Sequence, residues 1–528
     1  TQQFQALDVV FYPSWYSTPK EKCDIFKDIL VNQFQPNDNL DQAFSETIKI
    51  KLEEPLQISP FTDFISPAQL RNAIARSPCK KAPGHDGITL PLLKALPRKS
   101  LVFLTQIYNG MLRTTHIPHC WKHARIVMIK KPNKPRNDPL SYRPISLLPL
   151  LAKILERLLL PKLVTYLCHL IPSTQFGFRN IHSCQQQLHR VVEQILQTYE
   201  KKEVCLGVFL DTQKAFDKVW HPGLLSKIKE QLPDTYYRLL LSYLSGRTFT
   251  VGHKGAVSES AAIKSGVPQG SIWGPLLYLI YTSDFPSSDD LTLAHYADDV
   301  AALSRADNKI HAQDMLQTFM TDVENWCRQW RVAMNPAKSV IVNFTLQRNR
   351  DTPTVTLDNQ RVPALESVRY LGLNLDEKLT WKSHIDELVR RIRNRIRQLH
   401  TLLGRRSPLS LSTKRLLYLS LIRPLWMYAC GIWGSAANTH LRRVQAQQNR
   451  VLRLITDAPW FVRNSTLHYD LQIPTVPEVL KTSYSKLHDS MTDHPNILLN
   501  DLANCVTPTP THRRLKRKRP QDFLIQHN

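Results

Sequence analysis

The chain has 528 residues, 42% apolar and 21% charged, with 69 Lys+Arg against 44 Asp+Glu and a net charge of +25. That length predicts two to four structural units. No stretch approaches the roughly 20 uncharged apolar residues of a membrane span, and Thr1-Gln2-Gln3-Phe4 does not begin a signal peptide. The missing initiator Met suggests a piece of a longer polyprotein.

The charge is polarised. Residues 1–60 hold 5 Lys+Arg against 9 Asp+Glu, a net of −4, whereas residues 381–528 hold 24 against 9, a net of +15. An excess of this size points to a polyanionic partner, because neutralising phosphates drives affinity. The nine cysteines run singly from Cys23 to Cys505, without a CxxC pair or zinc spacing. They read as reduced thiols of an intracellular protein.

In chain order, residues 1–60 read as a linker or an appended helical piece. Ser66 as N-cap and Pro67 at the first helical position predict a helix over 65–77. It ends before the loop Lys80-Lys81-Ala82-Pro83-Gly84-His85-Asp86-Gly87. Trp121 to Lys131 predicts a strand, with Ala124, Ile126 and Met128 alternating against Arg125, Val127 and Ile129, and a basic Pro-rich loop follows to Pro144. Helical periodicity covers 150–169 and 183–200. Val204 to Leu210 is a buried-strand run ending at Asp211. Pro275 to Asp284 predicts an apolar helix, and Leu291 to Leu303 a hairpin with Asp298 and Asp299 at its tip. Residues 385–403 predict an amphipathic helix whose apolar face runs from Ile385 to Leu403, with Arg390, Arg391, Arg393, Arg395 and Arg397 on the remainder. The tail Arg-Arg-Leu-Lys-Arg-Lys-Arg at 513–519 reads as disordered, with nucleic-acid binding or nuclear import as open roles.

Asp211 and the Asp298–Asp299 pair both fall where an apolar strand ends. That is the pattern of neighbouring strands converging on one metal site. The apolar flanks Tyr296, Ala297 and Val300 predict partly buried acids, and a buried like-charged pair calls for metal cations. In-line nucleotidyl transfer needs such a set, since two Mg²⁺ ions about 3.5–4 Å apart hold the attacking and leaving oxygens.

At these residues a family resemblance enters. Tyr296-Ala297-Asp298-Asp299 resembles the reverse transcriptase signature. Asp211-Thr-Gln-Lys-Ala-Phe216-Asp217-Lys-Val-Trp220 is similar to the first catalytic motif of non-LTR (LINE-type) retrotransposon enzymes. Ser265-Gly-Val-Pro-Gln269-Gly270-Ser271, Ser141-Tyr-Arg143-Pro, Gln175-Phe-Gly-Phe178-Arg179, Lys81-Ala-Pro-Gly-His-Asp86-Gly87, Trp326-Cys-Arg-Gln-Trp330, Asn335-Pro-Ala-Lys338 and Tyr370-Leu371-Gly372 resemble further motifs of that class. Order and spacing agree over roughly residues 60–460, and the flavour is closest to the arthropod jockey clade.

The resemblance implies an α+β right-hand polymerase of fingers, palm and thumb, with an antiparallel palm sheet flanked by helices, a helical thumb and a basic C-terminal extension. The implied divisions are a 1–60 extension, 61–205 fingers, 206–375 palm, 376–460 thumb and 461–528 extension. Asp211, Asp298 and Asp299 would bind two Mg²⁺ (with Mn²⁺ as substitute). Lys130 (or Lys131) and Arg143 would contact the triphosphate. Phe216 would exclude a 2′-hydroxyl, Gln269, Gly270, Tyr296 and Ala297 would line the nucleotide site, and Lys338 would protonate pyrophosphate. Tyr370, Leu371 and Gly372 would grip the primer. Asp217 is expected to be a structural ion-pair partner. Trp330, Trp381 and Trp433 read as core, with base stacking as the alternative.

Implied partners are an RNA template, a DNA primer, dNTPs and target DNA, in nuclear and cytoplasmic ribonucleoprotein with element RNA. An endonuclease domain is expected upstream in the full-length protein, and residues 461–528 are too short for an RNase H. An RNA-dependent RNA polymerase and a catalytically silent RNA-binding protein remain as alternatives.

Overall fold

A computed structural model describes residues 18–58, 63–132, 134–135, 138–347, 353–505, 512–515 and 517–525. Two units emerge from its contacts: Thr1–Pro172 with Thr212–Phe285 and Val323–Met334, and Ser173–Asp211 with Pro286–Asp322 and Asn335–Asn528. The stretch 206–375 expected as one palm therefore contributes to both.

In the first unit, the expected strand runs His123–Lys130. Its alternation sends Ala124 and Ile126 into the core with no exposed surface. It pairs antiparallel with Tyr142–Leu147 and parallel with Thr248–His253. The latter is edged by Ala256–Val257 and Ala261–Ala262. Residues 18–58 supply two helices to this unit, Pro19–Gln33 and Gln42–Glu53. The first starts on a capping box, with Thr18 accepting from the Glu21 amide and Pro19 at the first position. It buries Cys23 and Leu30, and the following Phe34, against Ala124, Ile126, Leu148, Phe249 and Val251. Each large side chain so buried contributes roughly 1.5–3 kcal/mol. Helix Pro67–Ala75 begins at Ser66 with Gln69 completing the box, as its sequence predicts.

The second unit is built on a four-stranded sheet in the order Leu291–Tyr296, Asp299–Ala306, Val204–Asp211, Val340–Phe344, antiparallel throughout. Val204 to Leu210 is buried on both faces, which explains its unbroken apolar character. Helix Cys184–Lys201 shares a core with this sheet through Leu188, Val191, Val192 and Ile195, which join Phe209, Ala294, Ala301 and Leu303. The amphipathic helix spans Lys382–Leu403. It buries Ile385, Leu388, Val389, Ile392, Ile396 and Leu403. Arg390, Arg391, Arg393 and Arg397 face solvent and Arg395 is half-buried. Trp330, Trp381 and Trp433 are buried, which selects core packing for all three.

The basic tail departs from expectation. Arg513 and Arg519 are each only 3% exposed. The Arg519 guanidinium pairs with Glu193 at 3.3 Å and Glu200 at 3.1 Å, and Arg513 pairs with Asp522. Gln521 donates to Glu193 at 2.9 Å, Arg514 donates to the Tyr199 carbonyl at 2.6 Å, and Phe523 is buried. Among its described residues the basic run is thus corrected from disordered to docked, because the buried Glu193 and the half-buried Glu200 on helix Cys184–Lys201 attract cations. Among the described residues no helix is long and apolar enough to cross a membrane.

Candidate active site

Strand register brings the acids together. Asp211 ends its strand directly opposite Asp299, and Tyr296 opposes Asp299 on the other side. The connection Ala297-Asp298 is a two-residue hairpin turn with Ala297 at φ +58°. A positive φ at the first central residue is the geometry of type II′ turns, which favours Gly there. With Ala instead, the turn stores strain that its surroundings must hold.

Those surroundings are explicit. The buried Gln175 side-chain oxygen accepts from the Ala297 amide at 2.9 Å and from the Gly177 amide at 2.8 Å. A Cβ on Gly177 would sit 2.3 Å from the Ala297 nitrogen, so only Gly permits this approach. The Phe176 amide donates to the His295 carbonyl at 2.9 Å, and the His295 amide to the Thr174 carbonyl at 3.1 Å. Gln187 donates to both the Thr174 and His295 carbonyls at 3.0 Å. The expected list of site residues omitted Gln175 and Gln187. The Gln-Phe-Gly spacing is the sequence signal for the first.

Ala297 and Val300 turn into the core while Asp298 and Asp299 face solvent, so the acids are more open than their apolar flanks predicted. Desolvation and the neighbouring charges of Asp298 and Asp211 push the Asp299 carboxyl up to about 6. Like charges directly opposite on a ladder are destabilising, so this arrangement costs stability in the absence of a cation. The Lys338 ammonium stands 3.8 Å from Asp211. The turn that carries it caps the same strand, with Asn335 donating to the Asp211 carbonyl at 2.8 Å and the Asp211 amide donating to the Ser339 hydroxyl at 3.2 Å.

Among the described residues no three ligating side chains close into a metal-sized cage. The donor set is nonetheless one a hard cation accepts, since Mg²⁺ takes one or two carboxylates and completes its shell with water and phosphate oxygens.

Tyr370 is buried and donates to the Ala294 carbonyl at 3.2 Å. Leu371 and Gly372, at φ +42° and +85°, form the two-residue turn between Ser367–Tyr370 and Leu373–Asp376. Tyr428 donates to the Leu371 carbonyl at 2.7 Å, an anchor the sequence did not announce.

The remaining candidates lie in the first unit. The Phe216 ring stacks on Tyr278 at 4.6 Å and 17°. Gln269 donates its amide to Asp217 at 2.9 Å, and its carbonyl accepts from the Ser146 amide at 2.9 Å. Gly270 has φ +123°, and a Cβ there would meet the Ser146 oxygen at 2.7 Å. Among the described residues Asp217 has no ion-pair partner, contrary to expectation. Its buried carboxylate accepts from the Gln33 and Gln269 amides, while Lys214 and Lys218 act only through space. Burial, opposed by those bonds, leaves its pKa at about 6. Glu156, another residue the sequence did not flag, accepts from the Ile272 and Trp273 amides at 2.5 and 3.1 Å and so anchors the turn after Gly270.

Ladder register also separates the two lysines. Lys130 opposes Tyr142 and Arg143 opposes Ile129, so Lys130 and Arg143 project from opposite faces. Lys131 follows on the Arg143 side, its amide donating to the Ser141 carbonyl at 2.8 Å. Burial lowers the Lys214 pKa, and the charge of Lys131 adds to that lowering.

A hairpin that holds two adjacent aspartates against a third across the ladder is a donor arrangement suited to divalent cations and phosphoryl chemistry. Residues 129–375 match the family model described as reverse transcriptase (RNA-dependent DNA polymerase), and the chain is similar to the RNA-directed DNA polymerases of several Drosophila mobile elements. It is 41% identical over 97% of its length to the probable RNA-directed DNA polymerase from transposon X-element of Drosophila melanogaster, covering 57% of that protein. It is 40% identical over 90% of its length to the corresponding protein of transposon BS, covering 53%. It is 37% identical over 96% of its length to the RNA-directed DNA polymerase of mobile element jockey, covering 57%, both from the same fly. The chain thus spans a little over half the length of these relatives.

Proposed function

We propose that this chain is an RNA-directed DNA polymerase, which copies element RNA into DNA in target-primed reverse transcription. The observation that carries the reading is Asp211 directly opposite Asp299, with Asp298 at the adjoining turn. When bound, two divalent ions, Mg²⁺ or Mn²⁺, would supply charge neutralisation for the attacking and leaving oxygens. Asp211, Asp298 and Asp299 would hold them. Lys338 stands beside Asp211 to protonate the departing pyrophosphate. Arg143 and, on the register, Lys131 in preference to Lys130 contact the triphosphate.

Phe216, backed by Tyr278, forms a rigid wall against a 2′-hydroxyl, and Gln269, Gly270, Tyr296 and Ala297 line the nucleotide site. Tyr370, Leu371 and Gly372 grip the primer end. The fingers, palm and thumb divisions given above accompany this reading. So do RNA template, DNA primer and target DNA as partners, an endonuclease in the longer protein, and action in nuclear and cytoplasmic ribonucleoprotein.

Primer extension on RNA and DNA templates tests it, wild type against Asp298→Asn. The expected result is Mg²⁺-dependent dNTP incorporation, lost by orders of magnitude in the variant. Absence of extension with either metal on any template would sink the proposal. An RNA-dependent RNA polymerase would incorporate NTPs in preference, and Phe216→Ala should relax the choice. A silent RNA-binding role predicts that Asp211→Ala leaves the biological effect untouched.

A further inference from the structure

Outside the matched domain, the segment after helix Asn438–Thr456 displays two large aromatics to water. Trp460 is 88% exposed and Phe461 69%. Among the described residues Trp460 is the one exposed tryptophan. The Val462 amide donates to the Pro459 carbonyl at 3.2 Å, so Trp460 and Phe461 are the two central residues of a β-turn. Such positions are usually Gly, Pro, Asn or Asp.

The turn is fastened rather than loose. Arg453 donates to the Ala458 carbonyl at 3.4 Å, the Pro459 carbonyl, the Val462 carbonyl at 2.8 Å and the Asn464 side chain at 3.0 Å. The backbone on both sides of the aromatics is thereby fixed, and the rings cannot fold back onto the core without breaking these bonds. They sit edge to face, 6.0 Å apart at 80°. Their surroundings are cationic. Arg463 is exposed, Arg405 neutralises Asp457 at 3.2 Å, and Arg406 beside it is exposed.

We propose that the Pro459–Val462 turn is a stacking platform for single-stranded nucleic acid, a second contact apart from the carboxylate site. Rigid aromatic faces beside arginines suit unpaired bases on a phosphate backbone. A protein partner would gain nothing from the surrounding positive charge unless it were acidic.

The test uses the full chain without divalent metal and fluorescein-labelled oligo(U) and oligo(dT) across a salt series. The double variant Trp460→Ala/Phe461→Ala should bind about 5- to 100-fold more weakly. The salt slope should be unchanged, because no cation is removed, and Trp460→Phe should recover most of the loss. Quenching of the solvent-exposed tryptophan emission by either oligonucleotide should vanish with Trp460→Ala. Loss on both strands indicates sugar-independent stacking and loss on one names the strand; either supports the platform. Wild-type affinity in the double variant overturns it, as does an equal loss on blunt duplex. Unchanged thermal melting excludes misfolding, since neither ring is buried.

Discussion

Truncation of Gln175 to Ala tests the device that holds the aspartate hairpin. Its side-chain oxygen is the acceptor for two buried amides, those of Gly177 and Ala297. Removing it leaves both donors unsatisfied, at about 1–3 kcal/mol each, so about 2–6 kcal/mol in total. A water entering the vacated volume would reduce this to roughly 2–4 kcal/mol. Because Ala297 sits at φ +58°, part of the loss is recovered if the turn relaxes, and then Asp298 moves. The expected outcome is a lowered urea midpoint, faster amide exchange at Ala297 and Gly177, and a fall in kcat larger than any rise in KM. Gln175→Glu keeps an acceptor at the same reach and should restore the protection. A stability change below about 0.5 kcal/mol with wild-type exchange at Ala297 would refute the reasoning.

Asp299→Asn removes one of three crowded charges and should stabilise the metal-free chain at pH 7–8 by about 1 kcal/mol, a value already reduced for solvent screening, while abolishing the stabilisation by added Mg²⁺; calorimetry with and without metal reads both. The Asp299 pKa is raised, so its ionised form opposes folding. Metal-free stability should therefore fall as pH rises from about 4 through about 6, whereas apparent Mg²⁺ affinity should fall as pH drops below about 6. Arg519→Met strands the buried Glu193 and should cost about 3–5 kcal/mol in urea unfolding at neutral pH. Burial already raises the Glu193 pKa, so the penalty should shrink in acid, where that carboxyl protonates, and Glu193→Met in the same chain should recover most of it. Asp217→Asn points a donor at one of two amide donors; it should lower stability by about 1–3 kcal/mol and raise the KM for dNTP more than it changes kcat.

The site was legible where local pattern and chemistry coincide. An unbroken apolar run ending in Asp211, and a mostly apolar hairpin with Asp298-Asp299 at its tip, both read directly from the chain. The helix of 382–403 declared its core face because its apolar residues recur at three and four. Three things were hidden. Gln175, Gln187 and Glu156 each bond a backbone group more than a hundred residues along the chain, and only Gln175 carries a local signal, its Gln-Phe-Gly spacing. The fate of Asp217 depended on Gln33, 184 positions away. The tail misled because a run of arginines and lysines looks the same whether it meets water or a buried Glu193 with Glu200 beside it.

The opposition of residues 211 and 299 also has a bearing on which changes the gene can tolerate. Side chains alternate along each strand, so inserting or deleting one residue within Val204–Asp211 or Leu291–Ala306 would turn a carboxylate to the far side of the sheet. Point substitutions along those strands trim packing by degrees. A single-codon length change there should end the opposition of the two carboxylates, and with it the proposed activity, even where all three aspartates survive.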